Sequence, residues 1–177
     1  MKTFLAVVAI IVSTVAMAGG AEVDNLEYKS WSGFKPGAFV KFKMVTEASG
    51  TKTEMEQTVK LVELTGAKAV VETSMVAAGN KLPAQKREIP AKVKIEPATD
   101  AKAAKAQKPA EGNEDIDVGG KKLKTHWVES TTETGGYKTV AKVWQAKGVP
   151  GGTVKMEAKT TGAVTSNTLM VVTEWKE

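Results

Sequence analysis

From residue 38 onward the chain alternates apolar and polar side chains in short runs closed by glycine, a period of two that admits strands and little else. Val40, Phe42 and Met44 fall on one side of the run from 38 to 47, with Lys41 and Lys43 on the other. After Ser49-Gly50, Met55, Val59 and Leu61 point one way, and Glu54, Glu56 and Lys60 the other. Gly66-Ala67 and Gly79-Asn80 bracket a β-branched run over 68–76. The runs 81–89 and 92–96 read as weaker strands, because Pro83, Pro90 and Pro97 cannot donate to a ladder.

The rhythm resumes after residue 120. Leu123, Thr125 and Trp127 alternate with Lys124, His126 and Val128, and Gly135-Gly136 turns the chain into 137–146. Gly148-Val149-Pro150-Gly151-Gly152 is the strongest turn signal. Val154 and Met156, then Leu169, Val171 and Trp175, complete the pattern. The expected fold is all-β: a single curved antiparallel sheet or half-barrel of about eight to ten strands. No segment carries a helical apolar stripe of three turns. A Pro-Gly turn feeding an alternating strand occurs twice, at 35–42 and 149–156.

Pro97 to Asn113 is different in kind. It is mostly Ala, Lys and Pro with almost nothing to bury, and reads as a solvated, mobile insertion. The basic excess of the chain is concentrated between Lys81 and Lys108, a stretch that overlaps this segment and carries +5 by itself. Lys81, Lys86, Arg87, Lys92, Lys94, Lys102, Lys105 and Lys108 stand against Glu88, Glu96 and Asp100. Lys102, Lys105 and Lys108 are candidates for contact with an anionic surface. Nucleic acid is disfavoured as a partner, since Arg87 is the lone arginine and no aromatic lies between Lys81 and Lys108 to stack on bases.

The start of the chain has another logic. Lys2, an apolar run from Phe4 to Val12 and the small-residue exit Ala16-Met17-Ala18 form the three parts of a secretory signal peptide. The run is shorter than the ~20 apolar residues that span a bilayer. Residues 1–18 are therefore expected to be removed, leaving one exported domain, 19–177, in the periplasm or outside the cell, with no transmembrane segment after processing. With no cysteine in the chain, disulfides, thiol chemistry and Cys-based metal sites are excluded, and packing must supply the stability.

Catalytic groups are sparse. His126 is the single histidine, set between Thr125 and Trp127 in a strand; a surface or packed role fits it better than a base, because no nucleophile elbow is present. Asn113, Asp115, Asp117 and Gly119 mimic a calcium loop, but Val118 and Lys124 stand where such a loop needs Gly and Glu. No phosphate-binding glycine motif occurs. The reading is a non-enzyme with neither cofactor nor metal.

The aromatic residues are the remaining candidates. Trp31, Phe42, Trp127, Trp144 and Trp175 either fill the core or line a concave sheet face that takes an apolar ligand. The stretch Lys142-Val143-Trp144 through Val149-Pro150-Gly151-Gly152-Thr153-Val154-Lys155-Met156-Glu157 resembles a strand pair of small exported bacterial proteins of unknown function, in which a Trp precedes a Pro-Gly turn. Trp31-Ser32-Gly33-Phe34-Lys35-Pro36-Gly37 is similar to their opening segment. The resemblance implies a curved antiparallel sheet, loosely like the half-barrels of periplasmic lipoprotein carriers, without catalytic residues. The absent cysteine departs from the lipid-anchored members.

The expected function is a non-enzymatic envelope protein that binds a lipid or other apolar ligand, or a partner protein, on the curved sheet. The alternative is a structural or assembly component acting through strand-edge contacts.

Overall fold

The computed structural model describes residues 22–94 and 109–177. The expected signal peptide and the candidates Lys102, Lys105 and Lys108 lie outside the described residues. In chain order the elements are β1 (Glu22–Asp24), α1 (Leu26–Ser32), β2 (Phe39–Ala48), β3 (Thr51–Leu64), β4 (Lys68–Ala77), β5 (Asn80–Lys81), β6 (Gln85–Pro90), β7 (Lys92–Lys94), β8 (Ala110–Val118), β9 (Lys121–Thr134), β10 (Tyr137–Gln145), β11 (Thr153–Thr161) and β12 (Ser166–Lys176).

Ten of these strands form one open antiparallel sheet in the order β5-β4-β3-β2-β12-β11-β10-β9-β8, with β6 also on β4. β1 and β7 make a separate two-stranded pair. Most neighbours are hairpins, so short glycine turns suffice; Gly50, Gly79, Gly120 and Gly136 all sit at positive φ. The exception is β12, which returns to lie against β2 and joins the two halves of the sheet. The expected all-β antiparallel sheet is thus observed, and it does not close into a barrel.

Two details differ from the sequence reading. β8 begins at Ala110, inside the segment expected to be insertion as far as Asn113. An edge strand needs only one neighbour's ladder, here β9, so it forms without apolar alternation. The second is α1, which is too short to show a stripe. Asn25 caps it by accepting a hydrogen bond from the Glu27 amide at 2.9 Å, and Glu27 places negative charge at its first turn. A helix of one or two turns does not persist alone in water; packing by Trp31, only 3% exposed, holds it.

The core lies where α1 meets one end of the strands. Val40 near the start of β2, Leu61 near the end of β3, Val71 on β4, Ile89 on β6, and Val154 and Val172 on β11 and β12 are all essentially sealed. Each such side chain contributes roughly 1.5–3 kcal/mol by leaving water. Trp31 reaches across to the β10–β11 turn, where Gly151 has φ +76° and a Cβ would stand 2.9 Å from Trp31 Cζ2. That contact explains the Pro-Gly-Gly turn: only glycine lets the indole and backbone approach so closely.

Candidate functional site: an uncharged face bearing the methionines

Directly opposed residues in an antiparallel ladder share a face, so the register can be followed across the whole sheet. One cross-strand row runs Met55, Met44, Met170, Met156, Val143 and Val128 over β3, β2, β12, β11, β10 and β9. The next row towards the far end reads Thr53, Thr46, Thr168, Ala158, Ala141 and Ser130. The one after it reads Thr51, Ala48, Ser166, Thr160, Thr139 and Thr132. Towards α1 the same face carries Gln57, Phe42 and Val172, and on β4 it carries Val71, Thr73, Met75 and Ala77.

From β4 to β10 this face holds no charged side chain. The opposite face of the same strands is laddered with Lys41, Lys43, Glu54, Glu56, Lys142, Lys155, Glu157 and Lys159. Strand propensity accounts for threonine as such. It does not account for charge being confined to one side.

All five methionines beyond residue 18 (Met44, Met55, Met75, Met156 and Met170) lie on the uncharged face. Met156 and Met170 are buried, and Met44, Met55 and Met75 are half-buried. Thr46 and Thr168 share a hydroxyl hydrogen bond at 3.2 Å, and Thr139 and Thr160 another at 3.0 Å. These hydroxyls satisfy one another, which lowers the cost of leaving water on this surface.

The sheet separates the aromatic candidates. Phe42 lies on the uncharged face, 6% exposed, within the core cluster. Trp31 belongs to α1 and packs on Gly151. Trp127 and Trp144 are directly paired on the opposite, charged face. There Lys142 Nζ stands 4.1 Å from the Trp127 ring centre and 4.6 Å from that of Trp144, and Lys155 sits 4.5 Å from Trp144. The Trp144 indole donates to Glu114 at 3.0 Å, which lowers the Glu114 carboxyl below its ordinary pKa, with help from Lys142. Trp175 sits under Lys121, at 4.6 Å. Trp127 and Trp144 thus stand directly opposite one another as a lysine-capped pair, Trp175 lies on the same face as Phe42, and Trp31, Phe42 and Trp144 all belong to the buried core.

On that charged face an open groove of about 790 Å³ crosses the sheet, with Val45, Val140 and Leu169 among Lys52, Lys142, Lys159, Glu47, Glu129 and Glu157. His126 lies exposed near the β8 edge, 3.6 Å from Glu111. Among the described residues no three His, Asp or Glu side chains converge where a metal ion could be held. Among the described residues no helix is long and apolar enough to cross a membrane.

The methionine face was not singled out from sequence. The signal was present, since Met44 and Met55 each fall on the apolar side of an alternating run, but four strands distant in sequence had to be aligned before the row appeared. Comparison with protein-family models, curated proteins and solved structures gave no match.

Proposed function

We propose that this is a non-enzymatic exported protein that binds an apolar or amphiphilic ligand on its uncharged sheet face. The observation that carries the reading is the segregation of every methionine beyond residue 18 onto one face that, from β4 to β10, also lacks charge. Methionine is unbranched, polarizable and adaptable, so a methionine-lined surface accommodates acyl chains or apolar side chains of varied shape. The flanking threonine and alanine rows are small and leave room for such a chain to lie across the strands.

The reading is tested with protein freed of bound lipid and labelled at its methionine methyl groups. Titration with a fluorescent fatty acid is expected to saturate, and the methyl resonances of Met44, Met55, Met156 and Met170 to move together. No saturable binding of fatty acid or hydrophobic dye, with those methyl signals unmoved, overturns it.

A further inference from the structure

The open sheet has two edges, and among the described residues neither has a further strand against it. At one edge lies β8, whose sequence Ala-Glu-Gly-Asn-Glu-Asp-Ile-Asp-Val contains four acids and no base. At the other lie β5 and β6, which carry Lys81, Lys86 and Arg87 against Glu88. Charged side chains on an edge ordinarily keep it from pairing with another chain. Edges of opposite sign do the reverse: each repels its own kind and attracts the other.

Internal partners occupy some of these charges. Glu114 is held by Trp144 and Lys142, Arg87 by Glu27, and Glu88 by Lys68. Lys86 approaches Glu72 only to 3.9 Å. Asp115, Asp117 and Lys81 have no ion-pair partner among the described residues. The uncommitted charge is therefore acidic on one edge and basic on the other.

Their geometry also matches. Every pairing in the sheet is antiparallel, and counting along its order makes β6 and β8 run in the same direction. To pair antiparallel with β8, a neighbouring copy's β6 must be turned over about an axis lying across the strands, which exchanges the two faces. Asp115 and Asp117 project from the uncharged side of the sheet, because Val128 does and they pair with Lys124 and Lys122 at even spacing from it. Lys81 and Lys86 project from the charged side, with Val76 and Glu72. Turning the neighbour over brings these two pairs of charges to the same side of the joint.

We infer that the chain associates head to tail with further copies of itself, the acidic β8 edge of one copy pairing antiparallel with the basic β5–β6 edge of the next. The two surfaces differ, so the contact is heterologous and extends rather than closing at two copies. It does not depend on the ligand reading above.

The test is sedimentation velocity on the purified protein over a range of concentrations, at low and at high salt. Mass is expected to grow with concentration at low salt and return to the monomer at high salt, as screening shortens the reach of charge to less than about 10 Å. Two variants sharpen it: Glu111→Lys, Asp115→Lys and Asp117→Lys together make both edges basic, and Lys81→Glu with Lys86→Glu makes both acidic. Each alone, folded by circular dichroism, is expected to stay monomeric, and a mixture of the two to associate. A monomeric wild-type protein at low salt, a mass that stops at the dimer, or a mixture of folded variants that stays monomeric overturns the inference.

Discussion

The Trp127 ring lies across Gly112, so closely that a Cβ on Gly112 would stand 2.8 Å from Trp127 Cζ2. Gly112 has ordinary backbone, so the need for glycine is steric rather than conformational. Gly112→Ala is expected to push the indole off the strand and cost roughly 1–3 kcal/mol, the usual penalty of overpacking. Gly33→Ala, with open space around its Cβ, should leave the melting temperature nearly unchanged. Thermal unfolding of both variants, with near-ultraviolet dichroism for the indole, checks the contrast.

The same stack controls a titration. The Trp144 indole N–H donates to Glu114 and holds its carboxyl below the ordinary carboxylate value. A depressed folded pKa means stability that is present above the unfolded pKa and lost as pH falls through the folded one. Trp144→Phe removes the donor, so the Glu114 pKa should rise towards its ordinary value, and the variant should lose less stability on acidification than wild type. Carbon-detected NMR of the Glu114 carboxyl follows the first effect and urea unfolding across the acid range the second.

Glu54 offers a cleaner case. Hydrogen bonds from Lys43 and Lys52, both at 2.9 Å, lower its carboxyl from 4.5 to about 2. The sign is the same: the contribution is complete above pH 4.5 and disappears as pH falls towards 2. The group is exposed to solvent and salt screens it, so the effect should shrink at high ionic strength. Glu54→Gln should flatten this part of the pH–stability curve at low salt and change little at high salt.

How much of this was readable beforehand follows from what each feature depends on. Alternation at Val40, Phe42 and Met44 is local, and it placed the strands. α1 was invisible because seven residues hold only about two turns, and its stability comes from Trp31 meeting Gly151, 120 residues away in sequence. Ala110 to Asn113 read as loop because an edge strand needs no buried face. Trp127 and Trp144 were singled out for their size, but which side of the sheet they occupy depends on register across β10 and β9. The methionine row needed three registers at once, β3 on β2, β2 on β12 and β12 on β11.

The core under α1 makes a direct claim about the helix. Trp31 is 3% exposed and contacts the turn that joins β10 to β11. Trp31→Ala is expected to cost about 3–5 kcal/mol, as for other large-to-small core changes. Part of that loss should appear as release of α1, since the helix has little intrinsic stability. Hydrogen exchange at the Lys29 amide, which donates to the Asn25 carbonyl at 3.0 Å, should accelerate more than exchange in β2.

Thr168 separates the structural from the binding role of the uncharged face. It is 9% exposed and shares a hydroxyl hydrogen bond with Thr46, one row beyond Met170 and Met44. Thr168→Val keeps shape and lacks charge; it forfeits one hydrogen bond, worth about 0.5–1.5 kcal/mol, and should leave fatty-acid binding intact. Ala158→Lys, its cross-strand neighbour on β11, puts charge onto the face at a half-buried position whose long side chain can reach solvent. Binding should then fall sharply while the strand content holds. Equal binding by the lysine variant and wild type would mean that the absence of charge there serves packing alone.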